Sequence, residues 1–410
     1  MEQTPALAPV PPAERITVID ALRGAALFGI LTANMRGFVA PFAVYMEPFK
    51  MWTDWANLGV QFAIDVLVSG KFITIFAALF GIGFAIQMDR AERRGQPAAF
   101  FVRRMAVLLL IGAFHAFVLW WGDILISYAL AGPFLLLLRR KPDRALVRWA
   151  AAGYALMPAM MLVGYVASVA GAEMAHPPEA TPEQIQETIR TYSQGGVAGI
   201  FRERAREWSA LNAFLPMFLP RIIAVFLAGV WLWRRGVITD SGRHLDWWRR
   251  AQRIGLAAGL PLNLAAVCMH YALRPNIAQP SLAGVSMLVV SSVAVPLLSL
   301  FYAATLVLLW NGSGKWRERL EPFSYVGRMA LTNYLLQSAI CTTLAYSYGV
   351  GLYGAVGPAL GLIPTAAVYA AQVWFSRRWL AAHRYGPAEW IWRRLTYSAP
   401  APRSAEEPSA

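Results

Sequence analysis

The residues with chemistry to offer stand in stretches that are otherwise almost wholly apolar. His115 lies in AVLLLIGAFHAFVLWWGD, and Asp123 closes that run. A histidine in such a setting is either a hydrogen-bonded packing residue or, with an acid to fix its tautomer, a general base. On a regular helix the two side chains stand about 80° apart, so spacing alone does not pair them, and Asp123 is expected at the membrane surface. Lys71 sits in IDVLVSGKFITIFAALFGIGF, about 9 Å along a helix from Asp65. Lys71 either snorkels outward or faces the interior of a bundle, and the small residues around it favour the interior.

A third group occupies IDALRGAALFGILTAN, where Asp20, Arg23 and Asn34 share one helical stripe with Leu27 and Leu31. Asn34 is about 21 Å along the axis from Asp20. Asp20 and Arg23 are either an anchoring ion pair or, through Arg23, a fixed cation for a phosphate-bearing ligand. The fourth group is GRMALTNYLLQSAICTT. There Asn333, Gln337 and Cys341 form one stripe, while Arg328, Thr332 and Thr342 form another. A span polar on two sides cannot face lipid, so this helix is expected at the centre, as substrate-binding residues or as a structural polar core. Each ionisable group inside such a span costs roughly 2.5–3.5 kcal/mol on insertion scales, which makes all of them functional candidates.

The elements that position these residues are apolar stretches at 17–38, 65–88, 101–121, 124–138, 146–172, 213–233, 252–272, 282–310, 325–346 and 352–375. Most hold about 20 predominantly apolar residues, enough for a helix to cross a bilayer core, and the fourth is short. The pattern predicts an all-α polytopic membrane protein of about ten transmembrane helices in one bundle. Arginines concentrate on alternate connections, with Arg90, Arg93, Arg94, Arg103 and Arg104 after the second span and Arg139, Arg140 and Arg144 after the fourth. The intervening connections hold few cations, so the arginine-rich loops and both termini are expected on the cytoplasmic side.

A formal net charge of +14 would also suit a nucleic-acid binder. Here the cations flank membrane spans and no recognition motif accompanies them, so no nucleic-acid partner is expected. Cys268 and Cys341, the two cysteines, both fall inside spans, which argues against a disulfide framework or a thiolate metal site. Residues 15–397 read as one transmembrane domain between disordered tails at 1–14 and 398–410. Two outer loops stand out: 39–64, whose aromatics suit the membrane interface, and 173–211, whose charged stretch 182–209 predicts two short amphipathic helices. The aromatic and arginine-rich segment 383–397 is expected to lie on the cytoplasmic face. No internal repeat supports an inverted-repeat transporter.

Three blocks resemble the YeiB-like family of bacterial inner-membrane proteins, a domain of unknown function. They are RITVIDALRGAALFGILTANM (15–35), the region from KFITIFAALFGIGF (71–84) to HAFVLWWGDILISYALAG (115–132), and GRMALTNYLLQSAICT (327–342) leading to YGPAEWIWRRLTY (385–397). The resemblance implies kinship with a superfamily of membrane acyltransferases that includes the heparan-α-glucosaminide N-acetyltransferases. In those proteins acyl-CoA is drawn from the cytoplasm and the acceptor is modified on the opposite face. Asp20, Arg23, Gly24 and Asn34 occupy that superfamily's D-x-x-R-G…N pattern, so Asn34 is similar to its active-site asparagine. The chain departs from the pattern by having no histidine in 39–64.

Two functions are expected on these grounds. One is an acyltransferase with acyl-CoA as donor substrate, no covalently bound cofactor, and an envelope sugar, lipid or small molecule as acceptor. Arg23 and Asp20 would then hold the donor, with His115 as base, Asn34 as oxyanion donor, and Lys71 and Asp123 beside them. The other is a transporter or lipid-handling protein, with the same polar residues lining a pathway.

Overall fold

The computed structural model describes residues 16–47, 50–95, 98–171, 180–274 and 281–396, and every regular element among them is helical. The expected tails at 1–14 and 398–410 lie outside the described residues. Eight helical stretches are long and apolar enough to cross a membrane. They are α1 (Thr17–Val39), the pair α3 (Trp55–Leu67) and α4 (Lys71–Arg93), α5 (Ala99–Phe114) with a π-turn at His115–Leu119, α8 (Asp143–Val169), α11 (Leu215–Arg234), α12 (Leu245–Leu273) with its leading 3₁₀ turn, α13 (Leu282–Trp310) and α16 (Pro358–Ala382). Shorter apolar pieces complete the bundle: α6 (Leu125–Ala131) and α7 (Phe134–Leu138), separated at Pro133, and α15 (Ala330–Ala345). The chain is an all-α, multi-pass membrane protein.

Helix α1 is the axis of the bundle. Its apolar window is 72% buried, against 17% for those of α8 and α12, and it packs on α4, α13, α15, α16 and α14 (Gly314–Arg328). A helix apolar on all sides is stable only where protein surrounds it, and α8 and α12 instead turn long apolar faces outward as lipid-facing helices do. Where helices cross, glycine lets backbones touch. A Cβ at Gly24 would stand 1.9 Å from the Phe323 carbonyl oxygen, and one at Gly327 would stand 1.8 Å from that of Asp20. Association inside a bilayer depends on such close packing, because lipid offers no hydrophobic drive between helices.

Three departures from regular helix shape the interior of the bundle. The second span was expected to begin at residue 65. It begins instead at Trp55, where the Asp54 side chain accepts the Asn57 amide, and it breaks before Lys71 at Gly70, whose φ is +83°. Much of the expected interfacial stretch 39–64 is therefore helix. The ninth span was expected as one helix over 325–346, but Met329 divides it into the end of α14 and the whole of α15. The third departure is the π-turn after α5, in which the Trp120 amide reaches back to the His115 carbonyl at 2.8 Å. Residues 182–212 form the two expected amphipathic helices, α9 (Pro182–Gln194) and α10 (Val197–Asn212), and the C-terminal segment forms α17 (Pro387–Thr396). A five-residue helix, α2 (Phe42–Met46), comes directly after α1.

Candidate active site

The π-turn overturns the angular separation of His115 and Asp123. The chain runs extended at Trp120, and Asp123 folds back until its Oδ2 lies 2.8 Å from His115 Nδ1. Asp123 was expected at the membrane surface; its side chain is instead fully buried, as is that of His115. The other carboxylate oxygen, Oδ1, accepts the Ile126 amide at 2.7 Å and caps the start of α6. On the far side of the imidazole, Nε2 lies 2.7 Å from Ser338 Oγ on α15. A carboxylate only accepts, so Nδ1 carries the proton and Nε2 receives the Ser338 hydroxyl. The order serine, histidine, aspartate is that of an activated nucleophile, its base and the group that orients the base.

Beside this triad ends a cavity of about 490 Å³, within the range of small-molecule sites. Along α4 it reaches from Arg93 to Phe76, about 25 Å at the helical rise. Its mouth, at the arginine-rich end of the bundle, carries Arg23, Arg90, Arg93, Arg104, Arg328 and Arg393, with Asp20, Asp89 and Glu389 among them. Six guanidinium groups against three carboxylates leave the mouth cationic. Deeper in, the lining turns apolar and aromatic, with Phe76, Phe80, Leu125, Tyr128 and Tyr334. The Tyr334 ring centroid lies 4.7 Å from that of His115. One side chain therefore separates the inner end of the cavity from the imidazole.

Helices at both ends hold this arrangement. At the mouth, Glu389 of α17 accepts the Leu331 amide at 2.7 Å and the Thr332 hydroxyl at 2.6 Å, and so caps the helix that carries Ser338. Trp392 donates to the Arg104 carbonyl at 3.0 Å, while the Arg104 guanidinium covers the indole at 3.5 Å. At the opposite end, Arg204 of α10 donates to the Phe117 and Val118 carbonyls, which the π-turn leaves without helical partners. Next to it Glu207 accepts the Phe42 amide at 2.7 Å and the Tyr192 hydroxyl at 2.9 Å. Burial pushes the Glu207 carboxyl up to about 8.

The other expected residues divide between two places. Asp20 and Arg23 form their ion pair at 2.9 Å, and with Arg328 they line the cavity mouth. Lys71 is buried, as expected, but its ammonium donates to the Asp65 carbonyl oxygen at 2.7 Å, away from the cavity. The Asp65 carboxylate accepts from Gln61 and Ser69 at 3.0 and 2.9 Å and from the Tyr271 hydroxyl at 3.0 Å, with Arg36 at 3.7 Å. Lys71 was grouped with His115 on the expectation that both reach the outer half of one site; the break at Gly70 gives it to this second cluster. Asn333 and Gln337 are buried at the centre, where Asn333 donates to Ser376 at 2.9 Å and Gln337 to Gln372 at 3.0 Å, tying α15 to α16. Asn34 is half-buried, lines no part of the cavity and makes no hydrogen bond with His115, Asp123 or Ser338.

Spacing did not reveal Ser338, Tyr334 or Glu389. Ser338 adjoins Gln337 on the helix whose polarity marked it as central, and that polarity was the only signal pointing to it.

Comparison with known proteins gives the same assignment over 94–95% of the chain. Residues 232–399 match the family described as protein of unknown function (DUF418). Protein YxaH of Bacillus subtilis (strain 168) is 34% identical over 407 residues, covering 94% of each chain. Protein YeiB of Escherichia coli (strain K12) is 30% identical over 401 residues, covering 95% of this chain and 98% of its own. This chain belongs to the YeiB-like family. A 39.9 kDa Bacillus acidopullulyticus protein encoded in the amylase 3' region is 28% identical over 393 residues.

Proposed function

We propose that this protein is a membrane acyltransferase that takes an acyl group from an acyl-CoA donor in the cytoplasm and passes it to an acceptor at the opposite face. The observation that carries this reading is the alignment of one cavity with one triad. A cationic mouth suits the phosphates of a coenzyme A thioester. The apolar inner part of a cavity about 25 Å long from Arg93 to Phe76 suits the pantetheine arm and its acyl group, and it stops one ring short of the His115 imidazole. His115 is the general base of the proposal and Asp123 the residue that fixes its tautomer. The resemblance, not a contact in this site, is what nominates Asn34 as oxyanion donor. The arginine-rich end faces the cytoplasm of the bacterial inner membrane in this reading, by the positive-inside rule, and the acceptor is an envelope sugar, lipid or small molecule.

The test is thiol release from a panel of acyl-CoA donors by purified protein in lipid vesicles, with envelope extract as acceptor. Release above that of empty vesicles is expected. Release equal to that of empty vesicles across the panel, together with gradient-dependent flux of a solute, would replace the enzyme with a transporter.

A further inference from the structure

We infer that Ser338 is a nucleophile and that acyl transfer runs through an acyl-serine held midway across the bundle. This rests on the acyltransferase reading and adds a residue and an intermediate to it. If His115 took a proton directly from the acceptor, Nε2 would have to be open to that acceptor. It is not: Ser338 Oγ occupies it at 2.7 Å, and Asp123 occupies Nδ1 at 2.8 Å. Asp123 is itself fixed by the Ile126 amide. All three triad residues are buried, which shields the serine hydroxyl from bulk solvent. A hydroxyl already hydrogen-bonded to an oriented imidazole is ready for deprotonation without rearrangement.

Ser338 lies one helical turn beyond Tyr334, about 6 Å along α15, and the cavity ends at Tyr334. The ring must therefore turn aside for the thioester carbonyl to reach Oγ. In the first half-reaction, Ser338 Oγ attacks the thioester carbonyl carbon. The C–O bond forms, the C–S bond breaks, and the hydroxyl proton passes by way of His115 Nε2 to the departing thiolate. In the second, an acceptor hydroxyl or amine attacks the serine ester. Its proton goes to Nε2 and then to Ser338 Oγ as the C–O bond breaks. Donor and acceptor never need to occupy the site together, which suits a cavity opening at one end and an acceptor arriving from the other.

Two measurements on the reconstituted full-length protein test this. The first treats wild type and Ser338→Ala with a fluorophosphonate probe, which reports an activated serine whatever the natural donor. The second gives acyl-CoA without acceptor and searches for the acyl mass on the tryptic peptide containing Ser338. Probe labelling and an acyl adduct at Ser338, one per chain, are expected, and Ser338→Ala should lose both and slow turnover on the order of 10³-fold or more. Ser338→Cys should form an acyl-thioester adduct at the same position, which separates loss of chemistry from loss of fold. Wild-type thiol release retained in Ser338→Ala would overturn the nucleophile and leave acyl transfer standing. Probe labelling at Ser338 without turnover of any thioester would keep the nucleophile and discard the acyl-CoA donor. Absence of both labelling and adduct in folded wild type would overturn the inference.

Discussion

The two buried polar clusters of this protein contain similar residues and differ in what lies beside them. His115, Asp123 and Ser338 lie behind Tyr334, which lines a cavity of about 490 Å³. In the second cluster Asp65 and Lys71 line neither this cavity nor the small void nearby, of about 10 Å³ and room for roughly one water, which only Arg36 and Gln61 of the cluster border. Around Asp65 the carboxylate has three hydrogen-bond donors and the Lys71 ammonium rests on a carbonyl, while the Arg36 guanidinium is held at ion-pair distance, 3.7 Å from the carboxylate. An ionisable residue in a membrane span is a functional candidate by cost alone, but the cost is met equally by structural partners. A large cavity one side chain away distinguishes the two cases.

Variants in the two clusters should therefore fail in opposite ways. The largest effect is expected from the triad. His115→Gln keeps hydrogen bonding but takes up no proton at neutral pH, so turnover in the thiol-release assay should fall by roughly 10²–10⁴ with donor affinity unchanged. A full rate in folded His115→Gln would remove the triad from the chemistry. In the second cluster, Asp65→Ala strips the buried cations of their carboxylate and should cost about 3–5 kcal/mol of stability, read as a lowered thermal midpoint in detergent. The fraction that remains folded should turn over at the wild-type rate, and a large turnover loss without unfolding would make that cluster part of the site.

A smaller effect is expected at the cavity mouth. Arg23→Lys retains charge but loses the planar fork, so KM for the donor should rise about tenfold with turnover little changed. A selective fall in turnover would place Arg23 at the reacting centre.

The smallest effect concerns the opposite end. Burial holds Glu207 at about 8 against an ordinary 4.5, so the folded state binds the proton more tightly than the unfolded state does. The protonated form's contribution to stability is thus fully present below about 4.5 and is lost as pH rises through about 8. Hydrogen exchange in 197–212, corrected for intrinsic rates, should reveal faster local opening as pH rises across that window. In Glu207→Gln the trend should be flat, and a trend unchanged in the variant would assign it to another group.

Individual residues show where sequence reasoning stopped. The central place of α15 was legible because Asn333 and Gln337 cannot face lipid, and both are buried against α16. The burial of Lys71 was legible for the same reason, but its partner was not. A glycine at φ +83° breaks the helix and hands the ammonium to a backbone carbonyl, and glycine in an apolar run signals close packing as readily as a break. Asp123 was misplaced because a regular helix was assumed through Trp120, whereas the helix ends in a π-turn at Leu119 and the chain runs extended at Trp120 before folding back. Ser338 gave no signal beyond the polarity of its helix, since serine is common in membrane helices and its partner lies 223 positions earlier.

The sequence by itself determined that this is a helical membrane protein, roughly where its spans run, which end of the bundle is basic, and which family it belongs to. Those properties arise from transfer free energies and charge summed over short windows of neighbouring residues, and such sums need no knowledge of how helices meet. Tertiary structure alone decided that His115 lies between Asp123 and Ser338 and that the arginines surround a cavity reaching toward them. Those relations depend on the rotation, register and local breaks of helices far apart in the chain, and a hydrogen bond tolerates only a few tenths of an ångström of error.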